Sequence, residues 1–566
     1  PPNFDVTGAI GMAILAREKI NESGKTKFKG FEVRNASFTL DKFTCKDKDC
    51  KDLCEIRMVK IKGEKKPLCY GGRCEKYEIA DRKKKSNDIP NLFVERENLL
   101  LGDYDENRNK GSISIGIPRE LILYYQEFPF RRTFFTELGF QVILSKHTDR
   151  ALVSKSLEML TSETCFPIEV VHGHILDLLT KKVDHVFIPF VVNNRAAANN
   201  PTSNCNCPWI QSYPFMVRAA LAKHPDKDKL LIPALHPRFF DRVFVKEMSA
   251  FMKQQFGTGS KAVKKALCLA REKQTNFENS LTSRGSEILS NLPKDKEAMV
   301  ILGRPYNAGD PELNLRLVDK LINQNVLPIP LDFLPLNEEN IFDEFTNMYW
   351  PNGRKILSGA RIIARHDQLY GIYIGNFRCG PDSFLLHLVS EVLKGKPSLQ
   401  IEIDEHSADA GLITRLEAFL DSIRKKSGKS PIYKSNISNN FKQATPTTDR
   451  VLYWPYMHDG SYIAAAAARS CGIESYSLPM QTYEDLEIGR KHTSSKEWFP
   501  MICTTGSFIK KLQEPGVDEN KISFFMPDHN GPCRFGQYNQ LQKVIFDRLN
   551  MKGVKIVTPS NDGSYS

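Results

Sequence analysis

The sequence predicts an α/β protein: doubly wound, mostly parallel sheets in repeated units, with a small cysteine-rich N-terminal module. Three observations carry that expectation. Short apolar runs without strict alternation recur along the chain, as parallel strands covered on both faces require. Helical patterns lie between them, which is the grammar of strand–helix–strand crossovers. Five cysteines crowd one Lys-rich stretch near the start, where few large apolar residues are available to build a core.

The 566 residues correspond to three or four domains at roughly 150 residues each. A hydrophobic fraction of 41% and a charged fraction of 26% exclude disorder and collagen-like repeats. No apolar run approaches the roughly 20 residues that cross a bilayer, and no charged leader precedes an apolar stretch. A cytoplasmic protein with no membrane partner is therefore expected. Pro1 in place of Met suggests that a preceding part was removed or belongs to a longer chain. The net charge, 79 − 67 = +12, is spread along the chain. Its densest run, Arg82-Lys83-Lys84-Lys85, has no interleaved aromatic residues and reads as a solvated linker, so no nucleic-acid partner is expected. Thirteen cysteines without an export signal stay reduced, which favours metal or redox chemistry over disulfides.

Residues 1–25 read as the tail of a preceding domain, with Thr7-Gly8-Ala9-Ile10-Gly11 opening a helical pattern. Residues 26–90 form the cysteine-rich metal module and its connector. There Cys45, Cys50, Cys54, Cys69 and Cys74 follow the spacing C-x4-C-x3-C-x14-C-x4-C, and Gly71-Gly72 supplies a tight turn. A structural metal is expected, with zinc and iron–sulfur both open and five candidates for four positions. Residues 91–239 read as the first α/β unit, with strands at 112–117, 141–144, 185–190 and 230–234. Residues 240–295 read as a helical bridge. Residues 296–424 read as the second unit, with strands at 298–302, 371–374 and 399–403. A Lys-, Ser- and Asn-rich linker covers 425–450. The third unit occupies 451–566, with strands near 451–454, 501–504, 522–526 and 554–557 and a frayed tail from Ser560.

An internal echo joins the first and third units. Ser162-Glu163-Thr164-Cys165-Phe166-Pro167 reappears as Ser495-Lys496-Glu497-Trp498-Phe499-Pro500, with Gly173 and Gly506 at matching distances. Cys379-Gly380-Pro381 has a partial counterpart in Gly531-Pro532-Cys533. A duplicated unit follows, in which Trp498 stands where Cys165 stands in the first copy.

Cys165, Cys207 and Cys379 are each placed at a strand-to-helix loop, Cys165 behind Ser162 as N-cap, and such loops gather at the carboxyl edge of a doubly wound sheet. Helix N-termini favour a thiolate or an anionic cluster. Three thiolates from separate loops would hold a 4Fe-4S cluster and leave one iron open to a substrate oxygen. Three buried, unreactive cysteines remain the alternative. Cys268, Cys471 and Cys503 are expected in the core. Cys205 and Cys533 are additional candidates. Arg304, after the strand at 298–302, reads either as a contact for an anionic ligand or as part of a plain strand-to-helix turn. Asp404, in the loop Asp404-Glu405-His406, reads as an acid/base group, a docking edge or a simple helix-capping residue. His172 and His174 are two apart on a helix, so their rings diverge. No phosphate-binding loop or other nucleotide signature is present, so no ATP site is expected in this chain.

Several motifs carry a family resemblance. Val6-Thr7-Gly8-Ala9-Ile10-Gly11 looks like the closing helix of a CoA-substrate-specific activase ATPase. Tyr70-Gly71-Gly72-Arg73-Cys74, Ile115-Gly116-Ile117-Pro118-Arg119, Cys165-Phe166-Pro167, Asn206-Cys207-Pro208 and Gly303-Arg304-Pro305-Tyr306-Asn307 resemble the long, fused 2-hydroxyacyl-CoA dehydratase activases. So do Asn376-Phe377-Arg378-Cys379-Gly380-Pro381-Asp382, Ile403-Asp404-Glu405-His406-Ser407 and Gly531-Pro532-Cys533-Arg534-Phe535-Gly536-Gln537-Tyr538. The resemblance implies the region after the ATPase domains, related to the dehydratase subunits and to double-cubane cluster proteins. It implies Cys165, Cys207 and Cys379 as ligands of a 4Fe-4S or double-cubane cluster. An ATP-hydrolysing activase would be the electron-donating partner, and a small molecule or acyl-CoA the substrate. A homodimer is compatible with it. The family's usual cysteine in the third unit is Trp498 here. A non-catalytic scaffold with structural metal only is the alternative.

Overall fold

A computed structural model describes residues 6–24, 26, 30–31, 37–46, 54–61, 67–72, 77, 89–195, 202–293, 296–407, 409–424 and 449–559. Cys50, Cys74, the basic run 82–85, most of the expected linker (425–448) and the tail from Ser560 lie outside them. The chain divides into two compact units, Pro1–Lys85 and Ser86–Ser566.

In the first unit, helix α1 (Thr7–Ser23) ends at Gly24, whose φ of 63° suits glycine. Strands β1 (Phe38–Thr44), β2 (Glu55–Ile61) and β3 (Leu68–Tyr70) form an antiparallel sheet in that order. Cys45 N–H donates to the Cys54 carbonyl at 2.7 Å, extending the β1–β2 ladder by one bond at the loop end of the hairpin. Cys69 pairs with Met58, four residues along β2 from Cys54 and so roughly 13 Å away at strand rise.

The second unit begins with α2 (Leu92–Leu101), β4 (Ser114–Ile117), α3 (Leu121–Tyr125), α4 (Phe128–Glu137) and β5 (Gln141–Leu144). It continues through α5 (Arg150–Glu158), α6 (Phe166–Thr180), β6 (His185–Phe187), β7 (Phe190–Val191), α7 (Pro208–Ala220), β8 (Leu230–Leu231) and β9 (Ala234–Leu235). The expected strands at 185–190 and 230–234 are each split, because Pro189 and Pro233 have no N–H to give a ladder. Helices α8 (Val245–Phe256) and α9 (Ser260–Ser290) form the expected bridge. The buried stripe of α9 is Val263, Ala266, Leu267, Ala270, Phe277, Leu281 and Ile288. Cys268 falls off that stripe and is exposed, as is Cys471, so the expectation that both sit in the core is wrong.

The second sheet follows with β10 (Ala298–Leu302), α10 (Pro305–Gly309), α11 (Leu317–Asn323), β11 (Leu327–Pro330), α12 (Pro351–Arg365), β12 (Leu369–Asn376), α13 (Asp382–Val392), β13 (Ser398–Ile403) and α14 (Asp409–Arg424). The third has β14 (Val451–Trp454), α15 (Gly460–Ser470), β15 (Ser475–Ser477), α16 (Tyr483–His492), α17 (Phe499–Leu512), β16 (Ile522–Phe525), α18 (Tyr538–Arg548) and β17 (Lys555–Val557). The strand expected at 501–504 lies in the N-terminal half of α17: Met501-Ile502-Cys503 is buried in a helix, and a short apolar run alone does not separate the two states. Cys503 does lie in the core.

The three four-stranded sheets are β5-β4-β6-β8, β11-β10-β12-β13 and β15-β14-β16-β17, with every pairing parallel. Each has the same order, second–first–third–fourth, so the doubly wound expectation holds three times over. The echo between first and third units is structural too. Cys165 and Trp498 are both N-caps, of α6 and α17. A Cβ on Gly173 would lie 2.6 Å from the Leu152 carbonyl of α5, and one on Gly506 would lie 1.7 Å from the Asp485 carbonyl of α16. In both copies a glycine lets the second helix cross directly over the first. Among the described residues no helix is long and apolar enough to cross a membrane.

Where β4 runs into α3, Leu121 adopts φ 40°, and Glu120 is 4% exposed with the Tyr213 hydroxyl as its polar neighbour. Burial raises the Glu120 carboxyl to about 8, so it is protonated at neutral pH.

Two stability predictions follow from this packing. Gly506→Ala is expected to cost roughly 2–3 kcal/mol in denaturant melts, because backbone must move. Gly411→Ala, with nothing within 4 Å, is expected to be neutral or stabilising, and equal effects would contradict the crossing argument. For Glu120 the unfolded state loses its proton first. Stability is therefore expected to fall as pH rises from about 4.3 through the folded value, by up to a few kcal/mol. Glu120→Gln should remove that slope, and an unchanged pH profile would count against a buried neutral carboxyl.

Candidate functional site

The middle sheet supplies the framework. Its order reverses between β10 and β12, so the loops leaving these two strands flank a crevice at the carboxyl edge. After β10 comes Gly303-Arg304, and after β12 comes Asn376-Phe377-Arg378-Cys379-Gly380-Pro381. Arg378 takes φ 65° to turn the chain back toward α13. Asp382, the first residue of that helix, is 1% exposed and accepts from Arg304 Nη1 at 2.7 Å and from Tyr373 Oη at 2.6 Å. Its second oxygen accepts from the Asn376 N–H at 3.3 Å. The ion pair is buried on both sides, so the guanidinium holds a fixed place below the crevice.

Two cysteines arrive from the first sheet. Cys165 caps α6, with Pro167 in its first turn, and Cys207 caps α7, with Pro208 as its first residue. Cys207 and Cys379 sit at helix starts after strands, as expected. Cys165 does not: α5 intervenes after β5, so its loop joins two helices, and Cys165 rather than Ser162 is the N-cap. Polarity, not strand order, brings it to the same edge, because α6 points its N-terminus there.

Electrostatics show the three thiols converging. Burial pushes Cys165 up to about 12, with Cys207 adding to the rise and Arg304 opposing it. Burial raises Cys207, while the N–H groups of Ile210 and Trp209 face its sulfur and pull the other way. Cys379 is pushed well up by burial, against the pull of Arg304, with Asp382, Cys165 and Cys207 adding. Tyr306, 5% exposed, feels Arg304 and all three sulfurs and stays a neutral phenol through burial. Asn307 beside it is fully buried, and neither amide atom has a hydrogen-bond partner among the described residues.

A second tier ties the cysteine loops together. Arg378 pairs with Glu163 at 2.8 Å, Glu405 at 3.5 Å and Glu169 at 3.8 Å. Glu169 accepts from the Thr164 N–H at 2.8 Å, fixing the turn ahead of Cys165. The acidic loop after β13 thus reaches the site through Glu405. Asp404 is turned inward on its own loop, accepting from the His406 N–H at 3.0 Å and Ser407 Oγ at 2.7 Å.

The other candidates make contacts of their own. Cys205 is buried near Arg238, with Ser203 beside it. The Cys533 carbonyl accepts from Tyr349 Oη at 2.5 Å. His172 bonds its own helix backbone, and His174 lies within hydrogen-bond reach of Ser145 and Thr148, with burial lowering it to about 3. In the N-terminal unit Cys45 and Cys54 share one end of a hairpin and Cys69 does not. Among the described residues no three His, Cys, Asp or Glu side chains form a ready-made metal-holding group. Sequence reasoning missed Asp382, Tyr373, Tyr306 and Arg378. Arg378 is next to Cys379 and Tyr306 two residues from Arg304, whereas the Asp382 link to Arg304 spans 78 positions.

Residues 114–334 match a protein-family model described as a CoA enzyme activase uncharacterised domain. The matched stretch runs from β4 past β11, and includes Cys165, Cys207 and Arg304 but ends before Cys379. No curated protein matches the chain. At the coarse level, then, this part of the chain is similar to a domain of CoA enzyme activases.

Proposed function

We propose that the Ser86–Ser566 unit is an iron–sulfur protein of the dehydratase–activase kind, with Cys165, Cys207 and Cys379 holding a 4Fe-4S-type or double-cubane cluster. It would accept low-potential electrons from an ATP-hydrolysing activase and pass them to a small substrate or an acyl-CoA. The single observation that carries this reading is the convergence of three thiols, from three loops of two sheets, around one buried arginine. The match to a CoA enzyme activase domain supports the class of partner.

The donor set fits such a group. Burial holds the three sulfurs as thiols, with neighbouring sulfurs adding to the rise at Cys165 and Cys379 and Arg304, paired with Asp382, opposing it. A bound cation would reverse that balance and take the protons. When bound, the cluster would supply one-electron chemistry and an open metal position for a substrate oxygen. The protein's own groups have separate tasks. Arg304 keeps positive charge beside Cys379, and Asp382 with Tyr373 fixes its direction. The phenol of Tyr306 holds a proton among the sulfurs. Amide N–H groups of α6 and α7 face Cys165 and Cys207. In the N-terminal unit, Cys45, Cys50, Cys54, Cys69 and Cys74 are the candidates for a structural zinc or a second iron–sulfur site, and Cys69, away from the end that Cys45 and Cys54 share, is the one left over from four positions. An anaerobic cytoplasm is the setting this chemistry needs.

A second reading has one observation in its favour. Trp498 stands where the first copy has Cys165, so the third unit carries the fold without the thiol. On that reading the whole protein is a scaffold or regulatory domain with structural metal only.

Anaerobic purification should give about four iron and four sulfide per cluster, and a reduced-state EPR signal. Cys165→Ala, Cys207→Ala and Cys379→Ala should each lose most of that iron and the signal, whereas Cys268→Ala should retain both. Full iron and signal in Cys379→Ala would overturn the ligand set, and zinc without sulfide after reconstitution would favour the scaffold.

A further inference from the structure

The third sheet contributes a charged group to the mouth of this crevice. Arg534 sits on the loop between β16 and α18, and its guanidinium carbon lies 4.4 Å from the centroid of the Trp498 ring. A Cβ on Gly380 would lie 3.5 Å from Arg534 Nη1, so the arginine rests against the residue next to Cys379. The thiols of Cys379 and Cys533 and the phenol of Tyr538 are the groups that bear on its charge.

Its backbone is pinned from the second sheet. Tyr349 Oη donates to the Cys533 carbonyl at 2.5 Å, and Trp350 Nε1 donates to the Pro532 carbonyl at 3.2 Å. Phe384 of α13 stacks on Tyr538 with centroids 5.9 Å apart and planes 15° from parallel. The arginine is therefore positioned, not waving in solvent.

What it lacks is an anion. Arg96, Arg304 and Arg378 are matched by Asp332, Asp382 and Glu163. Among the described residues no carboxylate pairs with Arg534, although it is half buried and burial works against its charge. Leaving a desolvated cation without a counter-charge is costly, and stacking on an indole recovers only part of that cost. With its carbon over the indole, a guanidinium still has N–H donors to offer a planar, two-oxygen acceptor. The duplication accounts for the platform. In the first copy the helix N-cap is the thiol of Cys165; in the third it is the 43%-exposed indole of Trp498.

We propose that Arg534, stacked on Trp498 and set against Gly380, is a carboxylate-binding residue that anchors a small organic acid beside Cys379. The third unit is then the ligand-anchoring copy of the duplicated fold. This goes beyond the cluster assignment and holds whether or not iron is bound.

The test uses the full chain, freed of iron, so that absence of a cluster cannot imitate loss of binding. Sodium acetate is titrated at constant ionic strength against sodium chloride, read by tryptophan fluorescence and by saturation-transfer NMR of the acetate methyl. The wild type should show a saturable response to acetate above chloride. Arg534→Gln should weaken it roughly 10-fold or more, the loss of a charge-assisted paired contact. Arg534→Lys should recover part, and Trp498→Phe should keep NMR-detected binding because a ring still supports the guanidinium. Thermal melts establish that each variant is folded, and Trp498→Phe tests the site if Arg534→Gln is not. No saturable acetate response in wild type, equal affinity in Arg534→Gln, or loss of binding in folded Trp498→Phe would overturn the proposal.

Discussion

The buried ion pair between Arg304 and Asp382 is the constraint on which the rest of the site depends. Two charges lie under the crevice of the middle sheet, and they persist because each satisfies the other and Tyr373 adds a third contact. Asp382 opens α13, so the pair fixes where that helix begins, and with it where Cys379 and Gly380 stand. Arg304 leaves β10, so the same pair ties the first and third strands of the sheet across their reversal point. Removing either partner would leave a buried charge alone, which is far more damaging than losing a surface pair.

Around that pair, three sheets of identical strand order are specialised differently. The first sends two helices N-terminus first toward the crevice, each capped by a cysteine. The second provides the ion pair and the third cysteine. The third repeats the α5–α6 crossing in α16–α17, glycine included, yet offers an indole and an arginine in place of a thiol. The units are held together by charged contacts near the same edge. Arg378 reaches Glu163 of the first unit, and His387 of α13 pairs with Glu497 of the third, holding that carboxyl down at about 2.

Much of this was legible in the sequence because buried parallel strands have a strong local signature. The runs 298–302 and 451–454 fold as strands end to end. The strand 327–330 was missed since it carries Pro328 and Pro330, which an edge strand tolerates because one side of its ladder is unpaired. The strand 475–477 is polar and also at an edge, so it has no apolar run to find. Cys165, Cys207, Cys379 and Arg304 could be picked out because each borders a helix start with Pro or Gly nearby. Asp382 and Tyr373 could not, because Asp382 is defined by Arg304, 78 positions away, and Tyr373 only by its bond to Asp382. Nor could Arg534, since nothing in a linear sequence reveals that no described carboxylate pairs with it.

The most direct measurement of the account is a thiol proximity map. The reduced, metal-free protein is treated with a short bifunctional thiol reagent under native conditions, and the linked peptides are identified by mass spectrometry. Cross-links are expected among Cys165, Cys207 and Cys379, despite their separation in sequence, and none from these to Cys268 or Cys503. Cross-links that join Cys379 only to Cys533, with Cys165 and Cys207 unlinked to it, would contradict a three-cysteine site.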